Sequence, residues 1–167
     1  TIVAVTGASG FVGSAVVEAL RLNPAFVCRA LYRKAPDHRI AGVEQIESGD
    51  LADGPLPPET LRGVDVIIHT AARTHVLYDR TSDPYAVYRH VNANGTANLA
   101  RAAVANGVRR FVFLSSIKVN GESTPMDRPF TDRDTPAPED AYGLTKLEAE
   151  RLLLQYATNR ALEVRIL

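Results

Sequence analysis

A single cysteine, Cys28, stands among 167 residues, so no disulfide can close within the chain. That absence fits a reducing, cytoplasmic compartment. Charge of one sign is not in excess either, because 19 Lys and Arg face 19 Asp and Glu. No bulk field is left to draw the chain onto nucleic acid or a membrane surface. Apolar runs of the ~20 residues that a bilayer crossing needs are lacking, and no basic leader precedes an apolar stretch. Internal repeats and low-complexity segments are absent. His38, His75 and His90 have no partners at metal-ligand spacing, so they read as surface or loop residues and no metal centre is expected. None of these absences endangers folding, since a chain of this length buries roughly 70% of its unfolded surface without staples.

What is present is alternation. Short apolar runs predict strands at Ile2 to Val5, Phe26 to Tyr32, Val43 to Ile46, Val64 to His69, Arg110 to Ser115 and Leu162 to Leu167. Helical spacing falls between them, at Phe11 to Leu22, Pro84 to Asn106 and Asp140 to Asn159, with a short helix expected over Glu59 to Arg62. Runs that are apolar at successive positions must be covered on both faces. Strands alternating with helices mean crossover units, hence a doubly wound α/β domain with a six-stranded parallel sheet. The Pro- and charge-rich stretch Glu122 to Glu139 is a long loop, and long loops in compact domains are commonly functional. The chain opens on Thr1 at a strand edge and stops inside its sixth strand. It therefore reads as one domain, 1–167, trimmed from a longer protein.

The first turn reads Thr6-Gly7-Ala8-Ser9-Gly10-Phe11-Val12-Gly13, between strand and helix. A helix N-terminus offers unpaired N–H groups and partial positive charge, which suit a pyrophosphate. Glycines let backbone approach the phosphates and let the helix lie close on the sheet. In this strand–turn–helix context the motif predicts a bound dinucleotide. A carboxylate for the ribose 2′-OH is expected about 20 residues on. The sequence has Arg33 and Lys34 there instead, which leans towards NADP over NAD, though a solvated strand end would read the same. Asp50 suits the adenine amino group, or a simple turn beside Gly49.

Tyr142 and Lys146 are four apart on a predicted helix and so share a face. A phenol is a poor base at neutral pH. A nearby ammonium and a helix N-terminus are both expected to lower its pKa and make Tyr142 a general acid/base. Ser115 and Ser116 end the fifth strand at the carboxyl edge, where ligands bind in open α/β sheets. There Ser116 is placed to orient a reacting oxygen.

These motifs occur in one order, together with Gly49-Asp50-Leu51, His69-Thr70-Ala71-Ala72 and Val91-Asn92-Ala93-Asn94-Gly95-Thr96. In that order the chain resembles the NAD-dependent epimerase/dehydratase family of extended short-chain dehydrogenases. The resemblance implies a Rossmann-type NAD(P)-binding domain whose substrate-binding C-terminal part lies beyond this chain. It implies a catalytic set Ser116, Tyr142 and Lys146. For the cofactor it implies Gly7, Ser9, Gly10, Phe11, Val12, Gly13, Arg33, Asp50, Leu51, Thr70, Ala71, Ala72, Asn92 and Ser115, again with Tyr142 and Lys146. Within that set Ala71 and Ala72 line the cofactor channel, Asn92 tethers the long helix, and Lys146 also grips the nicotinamide ribose.

Sugar dehydratases of the family carry an acidic pair after the Ser/Thr, where this chain has Ile117 and Lys118, so dehydration is set aside. The expected reaction is hydride transfer at C4 of a UDP-hexose or UDP-N-acetylhexosamine, as an epimerase. Alternatives are a 4-keto reductase using NADPH, a steroid or phenolic-ketone reductase, and a non-catalytic dinucleotide-binding sensor. A homodimer through the two long helices is expected, with Leu99, Val104, Leu147 and Leu154 either at that contact or facing the sheet.

Overall fold

The computed structural model describes residues 1–74, 83–159 and 161–167; His75 lies outside them. Six parallel strands form one sheet in the order β3-β2-β1-β4-β5-β6. They span Ile2–Thr6 (β1), Val27–Tyr32 (β2), Val43–Glu47 (β3), Val66–His69 (β4), Arg110–Phe113 (β5) and Glu163–Ile166 (β6). The order is that of a Rossmann-type, doubly wound sheet, with the reversal of winding between β1 and β4. Thr6 and His69 end those two strands side by side. That is where such sheets open a crevice.

β1 is central, and Val3, Ala4 and Val5 are all buried, as a strand covered on both faces requires. Its alternate side chains feed two cores. Val5 joins Ala8, Val17, Cys28 and Ala30 under α1 (Phe11–Arg21). Ala4 joins Leu31, Ile67, Phe111 and Phe113 on the opposite face. There α3 (Gly95–Ala105) contributes Leu99, Ala100 and Ala103, and α4 (Ala141–Thr158) contributes Ala149 and Leu153. Asp140 starts α4 by accepting the Gly143 amide at 2.6 Å.

Two expectations change. The long helix predicted from Pro84 is α2 (Pro84–Arg89), then a five-residue π turn at His90–Asn94, then α3. The helix predicted over Glu59 to Arg62 is a run of turns, with Thr60 N donating to Pro57 O and Val64 N to Leu61 O. Gly63 ends it at φ 71°, and Leu61 is dropped into the core at 1% exposure. Burial of that one leucine decides the local conformation over helix propensity. Among the described residues no helix is long and apolar enough to cross a membrane.

The start of α1 is seated on the sheet by glycine. A Cβ on Gly13 would lie 2.1 Å from the Gly7 carbonyl oxygen and 2.8 Å from Thr70 Oγ1. Gly7, at φ 66°, has no more room, since its Cβ would lie 2.7 Å from Ala71 N. Backbone atoms cannot yield as a flexible side chain can. Gly13→Ala is therefore expected to destabilise the fold by about 3 kcal/mol or more, the upper end for overpacking. Urea denaturation measures this; a loss below about 1 kcal/mol would mean that α1 can lift off β1 freely.

Candidate active site

At the carboxyl ends of β1, β2 and β4 lies a cleft of about 260 Å³. Its floor is Thr6, His69, Thr70, Ala71 and Ala72, and one wall is the turn Gly7, Ser9 and Gly10. Gly10 precedes α1 in extended conformation with no side-chain cap, so the first-turn amides are left open to an incoming anion. Phe11 and Val12 project outward, 95% and 42% exposed, and leave that approach to backbone. At the far end Arg33, Asp50 and Leu51 line the cleft. Arg33 Nη1 lies 3.6 Å from Asp50 Oδ2. The other Asp50 oxygen accepts from the Ala52 amide at 3.0 Å, so Asp50 forms a turn as well as facing the cleft.

Beneath the floor runs a chain of hydrogen bonds whose direction can be worked out. Thr96 Oγ1 donates its proton to the Asn92 carbonyl at 2.6 Å. It can then only accept from His69 Nε2, 2.9 Å away, which puts the imidazole proton on Nε2. His69 Nδ1 is therefore an acceptor, and Thr6 Oγ1 donates to it at 2.6 Å. Thr6 Oγ1 in turn accepts from the Ala71 amide at 3.3 Å. Burial, with Lys146 nearby, pushes the His69 pKa down to about 3, so the neutral ring is the stable form. Asn92 carries the connection onward. Its Oδ1 accepts from Arg73 N at 2.8 Å, and its Nδ2 donates to Arg73 O and to Thr145 Oγ1 on α4, each at 3.1 Å.

Ser116, Tyr142 and Lys146 lie beyond the cleft lining, along the same edge of the sheet. Ser116 caps the short 3-10 turn Ile117–Val119. Its hydroxyl faces Tyr142, in the first turn of α4, near enough to lower the phenol's pKa. Lys146 does not meet Tyr142 as its spacing predicts. Its Nζ donates to the Leu114 carbonyl at 2.6 Å and lies 3.8 Å above the Phe113 ring. Shared helical face placed the two residues together, but a backbone acceptor and an aromatic face hold the ammonium under the sheet edge. Burial pulls the Lys146 pKa down to about 7, partly offset by the Glu150 carboxylate. That carboxylate is hydrogen-bonded by Ser115 Oγ.

The Tyr142 phenol is accordingly raised, not lowered, above its usual pKa. Burial raises it most, the Ser116 bond lowers it, the Asp140 carboxylate raises it and Lys118 lowers it. The helix start thus acts through its acidic cap, opposite in sign to the expected dipole effect. Lys118, passed over in the sequence, bridges Asp140 and Glu122 at 2.7 Å each. Its i,i+4 relation to Glu122 is visible in the sequence; its reach to Asp140 across the long loop is not. His69 was visible only as part of a motif, without its two threonines.

Other predicted residues divide. Leu99 and Leu147 face inward, while Val104 and Leu154 are 38% and 50% exposed. His38 is exposed, and His90 pairs with Asp53 at 3.0 Å. Among the described residues no group of three or more His, Cys, Asp or Glu is placed to hold a metal. The buried Cys28 thiol is pushed up to about 11, far from a reactive thiolate.

Comparison with known proteins follows the same edge of the sheet. Residues 3–167 match the model of the NAD dependent epimerase/dehydratase family. A UDP-glucose 4-epimerase of Vibrio cholerae is 42% identical over 165 residues, covering 97% of this chain and 49% of its own length. A short-chain dehydrogenase/reductase superfamily protein from Agrobacterium tumefaciens, solved with bound NAD, superposes with TM-score 0.83 at 35% identity. It covers 99% of this chain and 48% of its own. MoeE5 in complex with UDP-glucuronic acid and NAD gives 0.82 at 33% identity, covering 99% and 52%. The chain spans about half the length of the relatives it matches.

The buried ammonium has a consequence for stability. Between pH 7 and 10.5 the unfolded chain holds the Lys146 proton and the folded one does not. Stability therefore rises with pH across that window, and the full burial penalty is felt below it. Lys146→Met is expected to stabilise the apo chain more at pH 6 than at pH 10, with a difference on the order of 4 kcal/mol. Paired urea titrations of both proteins at both pH values measure it. A pH-independent difference would mean that Lys146 keeps its proton when buried.

Proposed function

The chain belongs to the NAD dependent epimerase/dehydratase family, and from that membership we propose that residues 1–167 form the dinucleotide-binding, acid/base part of a nucleotide-sugar 4-epimerase. The observation that carries the reading is the pairing of Ser116 with Tyr142 at the carboxyl edge of the sheet, beside the glycine-lined cleft. A dinucleotide fits that cleft: a glycine turn and uncapped helix amides suit a pyrophosphate, and the opposite end offers Asp50 and Leu51. Ser9, Gly10, Phe11, Val12 and Gly13 would hold the phosphates, Asp50 and Leu51 the adenine, and Thr70, Ala71 and Ala72 the path towards the nicotinamide. When bound, the dinucleotide supplies the hydride acceptor and donor for C4 of the sugar.

The protein's own share is proton handling and orientation. Ser116 fixes the substrate oxygen, and Tyr142 removes and returns its proton. Lys146 serves the nicotinamide ribose, with Ser115 and Asn92 holding the elements on either side. A phenol raised by burial is mostly protonated at neutral pH, so Tyr142 is poised as an acid. UDP-hexoses are the favoured substrates, since the Vibrio cholerae relative is a UDP-glucose 4-epimerase and MoeE5 was solved with UDP-sugars. UDP-N-acetylhexosamines are retained as candidates. Dehydration is disfavoured because Ile117 and Lys118, right after Ser116, supply no carboxylate. Hydroxyls and a tyrosine at the sheet edge argue for an enzyme over a sensor module. The buried thiol of Cys28 suits a cytoplasmic setting. The exposed Val104 and Leu154 on α3 and α4 leave apolar surface for a homodimer.

Cofactor choice rests on Arg33. The neighbours solved with a cofactor hold NAD, while Arg33 and Lys34 favour a 2′-phosphate by charge. If Arg33 meets that phosphate, Arg33→Ala weakens NADP by about 1.5–3 kcal/mol, the worth of a charged hydrogen bond, and leaves NAD nearly unchanged. Calorimetric titration of both cofactors decides it, and equal weakening would assign Arg33 no part in reading the phosphate.

Tyr142→Phe removes the transferable proton and keeps the ring. It is expected to leave cofactor affinity nearly intact while interconversion of UDP-glucose with its C4 epimer falls about 10²–10⁴-fold. Full turnover by the variant on every UDP-sugar tried would dismiss the mechanism and favour a binding module.

A further inference from the structure

We propose that Lys118 is a positioning residue for the Ser116–Tyr142 pair, its ammonium fixing the cap of α4 while its own amide fixes the Ser116 hydroxyl. The proposal rests on the reading of Tyr142 as the acid/base.

Ser116 and Tyr142 come from elements that the chain joins poorly. The 3-10 turn ends at Val119, α4 begins at Ala141, and between them lies a long, largely exposed loop. A hydrogen bond between two hydroxyls cannot by itself hold such ends in register. Lys118 supplies ties on both sides. Its N–H donates to Ser116 Oγ at 3.3 Å. Its Nζ donates to Asp140 Oδ2 at 2.7 Å, while Asp140 Oδ1 accepts from the Gly143 amide at 2.6 Å. One carboxylate thus takes the lysine on one oxygen and caps α4 with the other. Its neighbour Glu122 accepts from the same ammonium at 2.7 and 3.0 Å.

The backbones meet as closely as the side chains. A Cβ on Gly143 would lie 2.6 Å from the Lys118 carbonyl oxygen, so the first turn of α4 rests directly on residue 118. Ala137 N donates to Val119 O at 3.0 Å and closes the loop onto the same turn. Lys118 is only 22% exposed at its side chain, and two carboxylates hold it. That is a tighter arrangement than an ordinary surface ion pair.

Groups from several elements face Tyr142. Ser116 and Lys118 face it from the 3-10 turn, Asp140 from the helix cap, and Tyr88 from α2. Lys146, on its own helix, turns away to Leu114 O. Lys118 thus sets an ammonium against Asp140 beside the phenol. Its loss would remove a cation from beside both the phenol and the Asp140 carboxylate, and both changes disfavour the phenolate.

The test reads Tyr142 directly in this chain, by NMR titration of ring-labelled tyrosine with Tyr142→Phe assigning the signal. Lys118→Met is expected to raise the Tyr142 midpoint by about 0.5–1 pH unit, modest because the groups are partly exposed. Lys118→Arg, which keeps the charge, is expected to stay near the parent. Asp140→Asn keeps a capping oxygen but removes the charge, and is expected to shift the midpoint the other way. Unmoved midpoints in both Lys118→Met and Asp140→Asn overturn the proposal, as does an Arg variant that shifts as far as Met. If Lys118→Met does not fold, Asp140→Asn decides alone, a downward shift supporting the proposal and no shift overturning it. The acid/base reading fails separately, on full turnover by Tyr142→Phe.

Discussion

The neutral imidazole of His69 is the crossbar on which the rest of this site hangs. On one side it accepts from Thr6 at the end of β1, and on the other it donates to Thr96 at the start of α3. Each donor and acceptor in the chain is committed, from the Ala71 amide through to the Asn92 carbonyl. A fully satisfied buried network is rigid, and a half-satisfied one is costly. A cation at His69 would bring a second proton towards Thr6, whose hydroxyl already points at that nitrogen. The fold avoids this by sealing the ring between Phe111 and Phe113, where water cannot reach it.

The crossbar meets the irregular helix at Asn92. Asn92 must present its backbone carbonyl to Thr96 and its side-chain amide to Arg73 and Thr145 at once. The π turn at His90–Asn94 widens the backbone locally, with Asn92 and Ala93 buried. Such turns interrupt helices chiefly at functional sites. The floor residues 71 to 73 are then gripped at both ends, by Thr6 at Ala71 and by Asn92 at Arg73. The same asparagine reaches Thr145, one residue before Lys146, so the cleft floor and α4 share a support.

Much of this was legible in the sequence because it is written in local pattern. Apolar runs gave the strands, and the glycine turn marked the cleft wall, since at Gly7 and Gly13 the close approach of backbone leaves no room for a Cβ. Asp140 was legible as a helix start. The missing parts depend on contacts that periodicity does not encode. Leu61 turns a predicted helix into turns because the core takes its side chain. The π turn adds no residue type that differs from an ordinary helix. Lys146 shares a helical face with Tyr142, yet a free backbone carbonyl at Leu114 and the face of Phe113 compete for the ammonium and win. Lys118 finds Asp140 only once the long loop has folded back.

The two lysines show how partners, not residue type, set the chemistry at this edge. Lys146 is nearly sealed off and meets one neutral carbonyl and one ring, so burial outweighs what it gains and its proton is held weakly. Lys118 is partly solvated and meets two carboxylates, so its proton is held more firmly than in water. At neutral pH Lys118 is thus a fixed positive charge near Tyr142, while the ammonium under the sheet is one that titrates. A site built this way separates two tasks that a single lysine would have to share. One cation ties the start of α4 to the 3-10 turn. The other is half-charged near pH 7, so its protonation can respond to whatever negative or polar group enters the cleft beside it.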